Sequence, residues 1–170
     1  STVPSGNAGH KEPVDDDGLE QILVDAYDAM SSVCAEVDVE RDKFMERGRK
    51  QLGSLGSGNH FFELLVGEDD DVWVMVHSGS RGIGSAICNN FNKLAVAYCA
   101  SEGIELPDPG LAWLPMDERG RAYEIAMKAG LDFAQRNRGH ILRIAAKTIE
   151  HIFPGALQWE DTINIHHNDA

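Results

Sequence analysis

The chain has 170 residues, of which 42% are hydrophobic, 7% aromatic and 25% charged, the balance of one ordinary globular domain and not of a collagen-like or disordered chain. Its 28 acidic and 15 basic residues leave a formal charge of −13, which repels nucleic acid at long range, so any polyanion site has to be local. No stretch approaches the roughly 18 consecutive apolar residues of a membrane span, and the start Ser1-Thr2-Val3-Pro4 lacks the basic and apolar regions of a secretory signal.

The first eighteen residues, with Pro4, Gly6, Gly9, Pro13 and Gly18, have no hydrophobic period and read as loop. Leu19, Ile22, Leu23, Ala26, Tyr27, Met30, Val33 and Cys34 then recur at three and four, the spacing of an amphipathic helix, with Asp17 and Glu20 as a capping box ahead of it. A second, more charged helix is predicted over residues 39–50, running into a glycine-rich loop. Residues 61–66 and 72–77 read as two short strands around a turn at 67–71. A loop over 78–84 leads to a helix over 85–101, and the Pro- and Gly-rich stretch 103–115 is again loop. Helical periodicity resumes from Glu118 to Phe153, with an interruption at Gly139 and a stop at Pro154. Residues 159–165 alternate weakly and read as a strand that delivers His166 and His167. The sum is an α+β fold of short strands, glycine-rich loops and flanking helices. Cys34, Cys88 and Cys99 are odd in number and lack CxxC spacing, which points to reduced thiols and a cytoplasmic setting. A first residue other than Met, and an end close behind a histidine pair, read as an excised segment.

Chemistry gathers at three places. The first is Gly53-Ser54-Leu55-Gly56-Ser57-Gly58-Asn59-His60-Phe61-Phe62-Glu63, whose glycines permit positive φ, let the backbone approach a ligand and allow an anion-binding nest. No Lys followed by Ser or Thr is there, so it is not a P-loop, and the glycines alone fit a turn capping a strand. The second is Val76-His77-Ser78-Gly79-Ser80-Arg81-Gly82-Ile83-Gly84, where helix-terminal amides, small hydroxyls and one Arg suit an oxyanion or phosphate. A nucleotide loop of Rossmann type is the rival there, opposed by the lack of an acidic residue about 20 positions on. With the hairpin turn centred between Glu68 and Asp69, His60 lies opposite His77, with Cβ atoms about 4.5–5.5 Å apart. That pair reads equally as two ligands of one metal or as a hydrogen-bonded structural pair. The third is Ile165-His166-His167-Asn168, where alternation sends only one imidazole into a shared site. Imidazole donors suit zinc, manganese, iron or nickel. His10, His140 and His151 lack such settings and read as surface or helix-face residues.

These motifs, with Asn137-Arg138 between them, resemble the RtcB family of RNA-splicing ligases in order and spacing. The resemblance implies an enzyme that joins an RNA 3′-phosphate or 2′,3′-cyclic phosphate to a 5′-hydroxyl in tRNA splicing and RNA repair, using GTP and Mn²⁺, with a histidine guanylylated first and GMP then passed to the RNA. It implies manganese ligation by His60, His77 and His167, nucleotide contacts from Asn59, Glu63 and Asn168, and phosphate or RNA binding at Ser78, Arg81 and Gly82. His167 is preferred to His166 because it directly precedes Asn168. The implied partners are tRNA halves or broken RNA ends, GTP and an archease-like helper, with no membrane. Glu63 strains the register, since in a regular strand it points away from His60; a bulge or another register reconciles them.

Two family motifs have no match: an Asp-x-Gly-Cys-Gly-Met type ligand motif and a His-Gly-Ala-Gly-Arg type motif carrying the guanylylated histidine. The resemblance therefore places residues 1–170 in the middle of one ligase domain, with catalytic activity not expected from the chain alone. A metal- or nucleotide-binding module that lost catalysis, and a Rossmann-type oxidoreductase, are the competing readings.

Overall fold

A computed structural model describes residues 3–158 and 162–165. Among the described residues, four α-helices, α1 (Leu19–Val33), α2 (Arg41–Gln51), α3 (Arg81–Ser101) and α4 (Glu118–Ile152), accompany one antiparallel hairpin of β1 (Phe61–Val66) and β2 (Val72–His77), so the α+β class holds. No parallel βαβ unit occurs among the described residues, which removes the Rossmann-type reading. Nor is any described helix long and apolar enough to cross a membrane.

The core forms where the helices turn their apolar stripes inward: Leu23, Met30, Phe44, Leu52, Ile83 and Phe133 are essentially inaccessible. Helix α1 lies antiparallel along α4, its start beside Arg136 and its end beside Arg121 and Ile125. The capping box is replaced by a glycine cap. Gly18 occupies the N-cap in the left-handed region (φ 89°), which moves Glu20 one position too close to the helix start to reach back. Glu20 instead pairs with Arg49 of α2 at 2.7 Å.

The helix α4 runs through Gly139 without a break. A glycine costs a helix only about 1 kcal/mol, and the buried neighbours Phe133, Ala134, Asn137, Arg138 and Ile141 hold this stretch helical. Helix α3 starts four residues earlier than its pattern suggests, leaving a loop of only residues 78–80. Gly82 and Gly84 fall in its first turn, where Gln51 Oε1 accepts from the Gly82 amide at 2.9 Å. No strand forms over residues 162–165, and residues 159–161 lie outside the described residues.

The hairpin register differs by one residue from the sequence expectation: His77 faces Phe61, and Glu63 faces Met75. Gly67 and Asp71 still pair (2.7 Å), so the turn holds three residues and closes through Asp70 at φ 62°. A three-residue loop ending in a left-handed residue is a standard hairpin connection, and its odd length shifts the register that a two-residue turn sets. Glu63 thus lies on the strand face of Phe61 and His77, and the strain noted at Glu63 disappears without a bulge.

Candidate functional site

Two glycine-rich loops meet beside the hairpin entrance, and His60 sits between them. It precedes β1, so its side chain is not bound by the strand alternation, and its ring lies 6.0 Å from that of His77, tilted by 53°. Gly56, in the left-handed region at φ 108°, faces the ring from one side. A Cβ there would lie 2.2 Å from His60 Nδ1 and 2.5 Å from Arg81 Nη1, so only glycine admits both groups. Gly79 faces the other edge, where an added Cβ would be 3.8 Å from Nε2.

The electrostatics favour a neutral imidazole. Burial, then Arg81, then His77 push the His60 pKa below its ordinary value. His60 Nδ1 is buried without a hydrogen-bond partner among the described residues. A backbone hydrogen bond to Ser57 opposes that lowering, and a buried ring nitrogen of a neutral imidazole in a cradle that a methyl group would fill is suited to accept a metal ion. No cluster of three His, Cys, Asp or Glu side chains with metal-binding spacing exists among the described residues, so His60 and His77 do not make a complete metal site there. His167, Asn168 and His166 lie outside the described residues.

Arg81 opens α3 with φ 55°, an uncommon conformation for a side chain with a Cβ. Its Nε donates to Ser54 Oγ (3.1 Å) and its Nη2 to the Gly6 carbonyl (2.6 Å), and burial lowers its pKa. No described carboxylate lies within ion-pair reach of it, so pairing to a surface acid is not what holds it. Ser78 is buried; its hydroxyl donates to the Leu55 carbonyl (2.7 Å) and accepts from Asn137 Nδ2 (2.9 Å). With Gly82 engaged by Gln51, all three predicted phosphate contacts already bond within the protein. Asn59 is exposed and Glu63 half-buried, which leaves both accessible.

The organising residues are Asn137 and Arg138, which the resemblance included but to which it gave no role. Asn137 is fully buried, and its Oδ1 accepts from the amides of Gly53 (2.7 Å) and Ser54 (3.1 Å). Its Nδ2 reaches the carbonyls of Ser54 and Gly79, each at 3.1 Å, besides Ser78 Oγ. Arg138 donates to the Ser78 carbonyl (3.3 Å) and to Asn164 Oδ1 (2.8 Å). Their signal was available, since both are polar residues within the buried stripe of Phe133, Ala134 and Ile141. His140 and His10 form a separate buttress: His140 bonds Asp16 at 2.7 Å, and His10 Nε2 lies 3.4 Å from the Gly53 carbonyl.

A family model described as tRNA-splicing ligase RtcB matches residues 16–170. Among curated proteins, the tRNA-splicing ligase RtcB of Methanocaldococcus jannaschii is 39% identical over 70% of this chain and 14% of its own length. That of Methanococcus maripaludis is 32% identical over 80% of this chain and 32% of its own length. The RNA-splicing ligase RtcB1 of Escherichia coli is 37% identical over 70% of this chain and 31% of its own length. The chain thus spans between 14% and 32% of these relatives.

Proposed function

The chain belongs to the tRNA-splicing ligase RtcB family, and from that premise we propose that it forms the central part of an RNA ligase domain joining 3′-phosphate or 2′,3′-cyclic phosphate ends to 5′-hydroxyl ends with GTP and Mn²⁺. The observation that carries this reading is the cradle of His60 and His77 beside Arg81, where two imidazoles and a guanidinium converge on one side of two glycine loops. The donors present fit the metal, because His60 offers a buried ring nitrogen of an imidazole held neutral by its surroundings. A divalent ion there would neutralise phosphate charge while reacting groups are held in line.

The protein's own part is positional. Gly56 keeps the backbone clear of the His60 ring, and Arg81 supplies fixed positive charge next to it. Asn59 and Glu63, accessible at the same hairpin entrance, are the candidate nucleotide contacts, and with His167 and Asn168 they make up the proposed pocket. RNA ends, GTP and an archease-like helper are its proposed partners, and the cytoplasm its proposed location. Local positive charge matters in a chain of −13, since the whole molecule repels RNA.

Titration of the wild type, His60→Ala and His77→Ala with Mn²⁺ and with Zn²⁺ tests the reading. Each substitution is expected to weaken binding about tenfold or more, with Zn²⁺ bound more tightly than Mn²⁺ in keeping with the divalent affinity order. Unchanged binding in both variants would refute a shared site.

A further inference from the structure

We propose that Asn137 and Arg138 are positioning residues that lock together the three distant segments of the candidate site; the inference rests on the metal-binding reading of His60 and His77. The segments are the loop before His60, the loop after His77 and residues 162–165, which lead to His166, His167 and Asn168. The two loops also bond each other directly, Ser78 to the Leu55 carbonyl and Arg81 to Ser54. What reaches all three segments is one helical step of α4.

The chemistry of the joint is specific to an amide. Asn137 Oδ1 faces two backbone N–H groups of the first loop, and Nδ2 faces two carbonyls and a hydroxyl spread over both loops. Only a side chain with an acceptor and a two-hydrogen donor on one carbon satisfies both sides. Buried at 0% exposure, it has no water to replace a lost partner. Arg138 continues the joint, binding the Ser78 carbonyl with one nitrogen and Asn164 with another. His60 and Arg81 lie against Gly56, and Arg81 bonds Ser54, in the loop that Asn137 clamps, so the spacing of the imidazole pair depends on the clamp.

Two readouts on the full chain test this, using Co²⁺ as a spectroscopic probe and amide hydrogen exchange without metal. Asn137→Asp keeps the shape but turns a carboxylate oxygen toward the carbonyls of Ser54 and Gly79, and Asn137→Ala removes both sides of the clamp. Both are expected to weaken Co²⁺ binding about tenfold and to alter the spectrum of the bound ion. Both should also raise exchange at Gly53 and Ser54 ahead of the amides of α1. Leu23→Ala, which opens the core away from the site, controls for lost stability and is expected to leave Co²⁺ affinity at the wild-type level. If both Asn137 variants bind Co²⁺ like wild type while His60→Ala and His77→Ala do not, the positioning role is overturned. Should the histidine variants themselves bind like wild type, the metal reading falls. Exchange then decides the clamp alone: selective acceleration at Gly53 and Ser54 supports it and uniform acceleration overturns it.

Discussion

His60 and Arg81 are adjacent, half-buried cation-capable groups, and the consequence is a pH dependence of defined sign. The folded state keeps the His60 pKa below the ordinary value of about 6.5, so the unfolded chain takes up this proton first as pH falls. The stabilisation is complete above the unfolded pKa and is lost as pH drops through the window below it toward the lowered folded value. Urea midpoints followed from about pH 7.5 to about pH 5 should therefore fall more steeply for wild type than for His60→Gln, whose side chain does not titrate there; parallel slopes would contradict the shift. At Arg81 the planar fork spans Ser54 and Gly6, which an ammonium group cannot do. Arg81→Lys is expected to cost about 1 kcal/mol of stability and to bind inorganic phosphate more weakly than wild type by calorimetry. Equal phosphate binding would mean that the guanidinium serves only the loop that carries Gly6.

Within the elements, two glycines in helices look alike in sequence but differ in their surroundings. Gly139 has nothing within 4 Å of an added Cβ, whereas one at Gly48 would lie 2.5 Å from a Leu23 methyl that is itself fully buried. Gly139→Ala should stabilise the protein by about 0.5–1 kcal/mol through helix propensity, while Gly48→Ala should destabilise it by about 1–3 kcal/mol through overpacking; thermal melts of the two, moving in opposite directions, check both. The same contrast shows what the residue pattern could tell. The strand bounds 61–66 and 72–77 were legible because β-branched and aromatic runs flank a polar turn. The one-residue register shift was not, since it depends on Asp70 accepting a left-handed conformation. Nor was the continuity of α4 at Gly139, which tertiary packing on either side imposes.

On the scale of the whole molecule, the two histidines and Arg81 were legible as motif residues, but what brings them together was not. The loops converge through Asn137 and Arg138, whose partners lie 58 to 84 and 26 to 60 positions away in the chain, a relation that local periodicity does not carry. The hairpin beside the site presents a further whole-molecule property. Leu64, Val66 and Val72 share one face and are 62%, 72% and 64% exposed, and on the opposite face Trp73 is 46% exposed. Among the described residues the sheet has two strands and no third strand or covering layer of the kind that ordinarily makes such a structure stable, and its open edges invite pairing. Electrostatic repulsion from the charge of −13 opposes association but is screened within about 10 Å at 0.1 M salt. The chain on its own is therefore expected to self-associate through the hairpin as concentration and salt rise, with Leu64→Lys and Val72→Lys each shifting it toward monomer, because a charge on the shared face of the two strands makes burial of that face costly. Sedimentation velocity across a concentration series at low and moderate salt measures this directly, and a wild type that stays monomeric throughout, or lysine variants that associate equally, would show that the exposed hairpin is not the associating surface.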